Sequence, residues 1–353
     1  MSLRDAAHQA WPPFVLVTGL LLVGLAAHTD GLFARAGSAL ERVPGPPAAL
    51  LAAGMALVTV TTAVLNLDTA VVFLTPVLVH AARVRGADEE PFLFSAVFMS
   101  NASSLYLPGS NLTNLLVLSR SHSSGASFAV HMLAPALTAT LVTAAGLLLL
   151  FAATLWRAPR PAAAEPAAER EPSPWGAGAP ATLAAAVLTV ALPDPALAVL
   201  GVGLAATAVQ FGRRRIVPAS VIEAVGPLTL AGLFALSLAL GVLARTWSGP
   251  ATLLAHAGRA GTTAIGALAS ILINNLPAAV LLSARSLPHP RALLIGLDLG
   301  PNLAVSGSLS AFLWFRVARR IGAHPSALAY TRRGVVLAPL AAAAALAAAA
   351  LAR

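Results

Sequence analysis

Long stretches of apolar residues dominate this chain and leave few ways for it to fold. Hydrophobic residues make up 58% of the 353 positions, and charged residues make up only 10%. A water-soluble domain needs a polar exterior and carries about 25% charged residues, so this chain cannot hide its apolar surface in water. Several stretches approach the ~20 apolar residues that cross the ~30 Å hydrocarbon core of a bilayer. The sequence therefore predicts an all-α polytopic membrane protein.

The positions of the basic residues indicate how the chain is oriented in the membrane. All 22 are arginine, against 13 acidic residues, and they occur one to three at a time between apolar runs. A nucleic-acid surface would cluster them with aromatic residues, so we expect no nucleic-acid partner. Arginine gathers in the cytoplasmic loops of membrane proteins. Placing residues 157–180 in the cytoplasm puts most of the arginines on that side, which fits a bacterial inner-membrane protein.

The chain divides into two parts that resemble each other. Residues 157–180, rich in Pro, Ala, Glu and Arg, separate residues 1–156 from residues 181–353. In each part asparagine interrupts a pair of short apolar segments, near Asn66 and near Asn274. Further along, each part has a Gly/Ser/Asn-rich break inside an apolar span. We interpret the parts as inverted repeats, in which paired interrupted segments indicate a transporter site near the bilayer midplane.

The two predicted repeats differ at their starts. The second begins with two spans, residues 181–193 and 195–211, that have no counterpart in the first. We therefore expect either that the first repeat lacks two N-terminal spans or that the natural chain starts upstream of Met1.

Uncharged polar side chains collect at the two hairpin tips and the two breaks. Backbone at membrane depth must be buried in protein or line a wet cavity, where its free polar groups can bind a solute. The same side chains could instead cap helices or join them by hydrogen bonds. Because the set recurs in both parts, we predict a substrate site made by Asn66, Asn111, Thr113, Asn114, Asn274, Asn275, Asn302 and Ser308.

Two carboxylates, Asp68 and Asp298, lie deep in apolar sequence. An ionisable residue inside a membrane is costly and typically marks an ion or proton pathway. We predict that both carry the coupling proton, with helix capping as the alternative. Neither has the Gly-x-Gly-Asp setting of an intramembrane aspartyl protease, so we expect no enzyme. The chain has no cysteine and no histidine pair at metal-ligand spacing, and we expect neither a metal nor another cofactor.

At these motifs the chain resembles the arsenite/antimonite efflux permeases of the ion-transporter superfamily, which also contains the sodium/dicarboxylate carriers. The resemblance runs from about residue 12 to the C-terminus. Its most specific stretches are DLGP at 298–301, GSL at 307–309, SNLxN at 110–114 and NNxP at 274–277.

The resemblance implies two re-entrant helical hairpins, two broken transmembrane helices and export of arsenite or antimonite. Protons or an associated soluble ATPase would drive it, within a homodimer or a monomer. Neutral As(OH)3 suits hydroxyl and amide partners, and a thiol-free chain would not trap it. A proton- or sodium-coupled carrier of a di- or tricarboxylate is the alternative, although no arginine falls in either break. A non-transporting membrane component is a third possibility.

Two positions depart from the family pattern. Asn101 stands where the family usually has aspartate, and Asn302 stands where it has lysine. One acid and one base are replaced together, which leaves the local charge balance unchanged. Joint replacement of an ion pair costs far less than the loss of one partner. The joint change is what the loss of an ion pair between these positions would leave, and it keeps the identity of the coupling ion open.

Overall fold

The described part of the chain consists of helices joined by short connections. It is a computed structural model covering residues 3–118, 125–156, 176–285 and 287–351, and these ranges contain no strand. The predicted all-α class is therefore confirmed. Most of the linker predicted at 157–180 lies outside the described residues. The opposite orientation of the two repeats remains a prediction.

The helices of the first part follow the predicted apolar segments. They are α1 (Leu3–Thr29), α2 (Leu32–Glu41), α3 (Pro47–Val64), α4 (Leu67–Val84), α5 (Glu89–Ser103), α6 (Leu112–Leu118), α7 (Gly125–Leu150) and α8 (Ala152–Leu155). Hydropathy did not predict α2, because it is short and amphipathic. A 3-10 turn at Pro108–Ser110 separates α5 from α6 and forms the first break.

The second part has the same order of hairpin and break. Its helices are α9 (Gly178–Ala191), α10 (Ala196–Gly212), α11 (Pro218–Val225), α12 (Pro227–Thr246), α13 (Gly249–His256), α14 (Arg259–Ile273), α15 (Asn275–Leu282), α16 (Pro290–Leu299), α17 (Leu309–Arg320) and α18 (Ala327–Leu351). Gly226, with a φ of 57°, separates α11 from α12 within one apolar stretch. Two 3-10 turns, Gly300–Leu303 and Val305–Gly307, form the second break.

Six helical stretches of the described chain are long and apolar enough to cross a membrane. They are Trp11–Thr29, Pro47–Val64, Leu67–Val84, Gly125–Leu150, Pro218–Ala244 and Ala327–Leu351. The shorter apolar helices α9, α10 and α14 accompany them. Within the hairpins, α3 packs against α4 and α14 packs against α15. The protein is a multi-pass membrane protein whose interrupted helices lie among continuous spans.

An aromatic cluster joins α5 to the last two helices. Trp314 and Tyr330 are fully buried and lie beside Phe94 and Phe98, with ring centroids 4.8–6.5 Å apart. The indole N–H of Trp314 donates a 2.8 Å hydrogen bond to the Leu93 carbonyl oxygen. Buried aromatic rings contribute large apolar areas, and the indole needs such a partner. This cluster ties the second break to the first repeat.

The crossing of α1 and α10 depends on glycine. A Cβ at Gly203 would lie 2.6 Å from the carbonyl oxygen of Gly19, and a Cβ at Gly19 would lie 2.7 Å from the Leu200 backbone nitrogen. Small residues let membrane helices approach until their backbones touch. These two glycines therefore fix the contact between the first span and the second repeat.

Candidate functional site

The tip of the first hairpin is organised by Asn66, which lies between α3 and α4. Its backbone is extended, with a φ of −169°, and its Oδ1 accepts a 2.7 Å hydrogen bond from the Thr69 amide. This contact caps the N-terminus of α4, as asparagine does at helix starts. Asn66 is only 1% exposed, and its Nδ2 makes no hydrogen bond within the described residues. One side chain therefore holds the tip and keeps a donor available to a ligand.

The first break packs directly against this tip. Ser110 Oγ donates a 3.1 Å hydrogen bond to a carbonyl oxygen at the end of α3. Asn111 begins α6 by accepting a 3.1 Å bond from the Thr113 amide, and Asn114 Nδ2 donates to the Ser104 carbonyl oxygen at 2.7 Å. The Thr113 hydroxyl and the Asn114 Oδ1 are buried and have no partner in the described chain. The break thus combines capped backbone with free polar atoms.

The second hairpin repeats this arrangement with more backbone strain. Asn274, between α14 and α15, has φ 73° and ψ 147°, a region that is close to glycine-only. Its Oδ1 accepts from the Leu276 amide at 3.3 Å, and its Nδ2 donates to the Ser306 carbonyl oxygen of the second break at 3.3 Å. Asn275 is 4% exposed and starts α15. In both repeats, therefore, a hairpin tip is bonded to the break of the same repeat.

The second break is bonded to α5 of the first repeat. Ser308 caps α17 by accepting from the Ala311 amide at 3.3 Å, and it shares a 2.7 Å hydrogen bond with Ser310. The Ser310 hydroxyl reaches Asn101 Oδ1 at 3.5 Å. Asn101 Nδ2 donates a 2.8 Å bond to Asn302 Oδ1. Positions 101 and 302 are therefore bonded to each other, and Asn302 is occupied by this contact.

Asp298 makes the reciprocal contact from the second repeat to the first break. Its Oδ1 accepts a 2.9 Å hydrogen bond from Asn111 Nδ2. The side chains of Ser104 and Asn114 also face this carboxyl group. Asp298 is fully buried, and its Oδ2 has no hydrogen-bond partner among the described residues. Such an oxygen can be satisfied by accepting a proton that it then donates onward.

Asn101 and Asp298 occupy equivalent places in the two repeats. Each stands ten residues before the residue that caps the following half-helix, Asn111 in one case and Ser308 in the other. Each side chain reaches the start of the opposite half-helix, at Asn111 from Asp298 and at Ser310 from Asn101. Only one of these two crossing contacts contains an ionisable group. The site is therefore electrically asymmetric within a repeated geometry.

Asp68 lies in the first turn of α4, two residues beyond Asn66. It is half-buried, and it has neither an ion pair nor a hydrogen bond within the described chain. A carboxylate is stabilised by the positive end of a helix dipole at this position. Asp68 therefore lies at the tip of the first hairpin, and Asp298 lies just before the second break and contacts the first.

A further buried carboxylate, besides Asp298, was missed by the sequence reasoning. Asp30 is 1% exposed at the end of α1, where it accepts a 2.7 Å bond from the Gly178 amide and a 3.2 Å bond from Arg215. Its position before a glycine resembles an exposed loop, so only the tertiary partners identify it as buried. Because both of its oxygens have partners, Asp30 is a structural group that joins α1 to α9 and α10.

No arginine forms an ion pair or hydrogen bond with any predicted site residue within the described residues. Positive potential at the site comes instead from helix N-termini. The starts of α4, α15 and α17 lie at the hairpin tips and the second break. Helix N-termini bind anions through their free amides and dipoles. The arrangement can accept an anion without a fixed cationic side chain.

Comparison with known proteins places this arrangement in context. The model of the family described as citrate transporter (CitMHS) matches residues 5–301. The structure is similar to the crystal structure of the Alcanivorax borkumensis YdaH transporter, which has an unusual topology. The two share 16% sequence identity and a TM-score of 0.67, over 99% of this chain and 87% of that one. At this identity the likeness concerns the fold. No curated protein matches the chain.

Proposed function

Since this chain belongs to the citrate transporter (CitMHS) family, we propose that it is a secondary-active transporter that moves a small polycarboxylate together with protons. The two hairpins and two breaks would form its solute site. Alternating access would come from movement of the hairpin-bearing elements against the continuous spans.

The observation that carries this proposal is that helices start at both hairpin tips and at the second break. α4, α15 and α17 start there, capped by Asn66, Asn274 and Ser308. The buried, unpaired Nδ2 of Asn66 adds a donor beside the start of α4. Half-helix N-termini pointing at a substrate carboxylate are the recurring solution for anions in transporters. Several such ends suit a solute with more than one carboxylate.

Coupling to protons follows from the two aspartates. Asp68 lies in the first turn of α4, where a substrate carboxylate would also bind. Two carboxylates at one helix end repel each other, so protonation of Asp68 would favour the loaded state. Among the residues that the structure describes, one buried oxygen of Asp298 has no hydrogen-bond partner and no arginine forms an ion pair with it. We assign proton uptake to these two groups, with Asn66, Asn111, Thr113, Asn114, Asn274, Asn275 and Ser308 as solute contacts and Asn302 as a bridge to α5.

Uptake into proteoliposomes tests the proposal. The purified full chain would be reconstituted and loaded with a pH-sensitive dye, and labelled citrate would be offered under an imposed proton gradient or an imposed sodium gradient. We expect citrate accumulation with internal acidification under the proton gradient. Accumulation under the sodium gradient alone would contradict proton coupling. Absence of flux for citrate and for smaller di- and tricarboxylates would contradict the substrate class.

Arsenite or antimonite export is the second candidate. The observation that favours it is the donor set, because apart from the two aspartates every predicted contact is an uncharged amide or hydroxyl. The absence of cysteine also avoids a thiol trap. The same vesicles loaded with arsenite distinguish the two: proton-driven arsenite release without citrate flux would favour export. A homodimer or a soluble ATPase partner would be sought by co-purification. Absence of all flux would favour a non-transporting component.

A further inference from the structure

The exposed face of α17 consists of aromatic side chains and arginine side chains. Its buried face, which includes Trp314, Val317 and Ala318, packs into the protein. The outer face presents Phe312 and then three exposed arginines, Arg316, Arg319 and Arg320. Eight residues separate Phe312 from Arg320, or ~12 Å along the helix axis. The aromatic end is thus separated along the helix from the basic end.

This face lines an open groove. The groove has a volume of about 520 Å³ and is bounded by Phe312, Phe315, Arg316, Arg319 and Arg320. An apolar wall followed by guanidinium groups matches a molecule that has a hydrocarbon portion and an anionic end. Arginine suits a phosphate group, because its planar fork binds two oxygens at once.

Most of the positive charge in the groove is uncompensated. Arg320 pairs with Glu223 at 2.6 Å, through side chains that are 60% and 61% exposed. The Cζ atom of Arg319 lies 5.7 Å from the centroid of the Phe315 ring. This contact does not neutralise the charge of the guanidinium group. Arg316 has no ion pair or hydrogen bond within the described chain. The groove therefore carries a net positive charge that an anion would neutralise.

We propose that this groove binds the headgroup of an anionic phospholipid, with the acyl chains against Phe312 and the phosphate between Arg316 and Arg319. Clusters of basic residues on an amphipathic helix at a membrane bind anionic lipid headgroups in this way. A second copy of the chain is a poorer occupant, because a two-fold interface would place these arginines against their own equivalents. The site is separate from the proposed transport site, which lies at the other end of α17.

Lipid retention by the full chain tests this site. Delipidated protein in neutral detergent would be titrated with phosphatidylglycerol or phosphatidylcholine, and bound lipid would be counted by native mass spectrometry. We expect the parent to retain phosphatidylglycerol in preference to phosphatidylcholine. Each arginine near an anionic lipid contributes about a fivefold factor, so Arg316→Gln with Arg319→Gln should weaken retention about 25-fold. Both side chains are exposed, so the double variant should unfold at the parent's temperature.

A matched control removes the same charge elsewhere. Arg42 and Arg332 are also exposed and lie outside the groove, so Arg42→Gln with Arg332→Gln should retain phosphatidylglycerol like the parent. Equal weakening in both double variants would overturn the proposal, since it would reduce the effect to net charge. So would complete displacement of the lipid by millimolar inorganic phosphate. A dimer that dissociates in the groove variant, with lipid retention unchanged, would favour a second copy instead.

Discussion

Replacing Asp298 by asparagine should abolish proton coupling while raising the stability of the protein. In the parent, the buried Asp298 Oδ2 and the buried Asn114 Oδ1 both lack a hydrogen-bond partner, and the Asn114 side chain faces the carboxyl group. Both atoms are acceptors, so they cannot satisfy each other unless a proton is added. An amide NH2 in place of Oδ2 can donate to Asn114, and the amide oxygen still accepts from Asn111.

The magnitude follows from the number of bonds. One buried hydrogen bond contributes about 1 kcal/mol net, so the free energy of unfolding should rise by about 1 kcal/mol in Asp298→Asn. The amide cannot take up a proton. In proteoliposomes the variant should therefore exchange labelled for unlabelled solute without acidifying the interior or accumulating solute under a proton gradient. Internal pH and solute flux would be recorded together.

Asp30 provides the matched control. It is equally buried, but its oxygens accept from Gly178 and Arg215. Asp30→Asn should lower the free energy of unfolding by about 1–2 kcal/mol, because charge-assisted bonds are lost, and should leave proton coupling intact. Proton-driven accumulation by Asp298→Asn at the parent's rate would refute the assignment. A stability loss in Asp298→Asn as large as in Asp30→Asn would refute the geometric reasoning.

Three further variants probe the site and the scaffold. Asn274→Gly should change the free energy of unfolding by less than about 1 kcal/mol, because relief of the strain at φ 73° and ψ 147° offsets the loss of two side-chain hydrogen bonds, yet it should slow solute uptake by removing the amide; unchanged uptake would exclude a solute role. Asn101→Asp alone should destabilise by about 3 kcal/mol by burying an unpaired charge, and adding Asn302→Lys should recover most of it in thermal unfolding. If the double variant lost as much stability as the two single variants together, the pairing would be contradicted. Gly203→Val should cost about 3 kcal/mol, because its Cβ would meet the Gly19 carbonyl oxygen; a parent-like elution profile and melting temperature would contradict the close crossing.

Residues that interrupt helices explain why the hairpins and breaks could be predicted from sequence. Asn66 and Asn274 interrupt apolar segments, and asparagine is one of the few residues that both caps a helix and tolerates unusual backbone angles. The breaks contain clustered Gly, Ser and Asn, which do not continue an apolar helix. In contrast, α2 and α13 are short, with 10 and 8 residues, and hydropathy over a membrane-length window does not detect them.

Contacts between the repeats could be predicted only where the sequence held a compensating change. For Asn101 and Asn302 that change is the joint replacement of an acid and a base. The bond between Asn111 and Asp298 joins residues 187 positions apart and has no such signal. Burial of Asp30 depends on the approach of α9 and α10 to the end of α1, which no local pattern encodes. Long-range pairing of neutral or isolated groups is therefore what the structure adds.

The central claim is that the second break lines a water-accessible solute path. Ser306 is exposed in that break, and the native chain contains no cysteine, so Ser306→Cys introduces a single thiol. The decisive measurement is its labelling in proteoliposomes by a membrane-impermeant maleimide, with and without citrate. We expect labelling that citrate slows. Reaction only with a lipid-soluble maleimide, at a rate that citrate does not change, would contradict it.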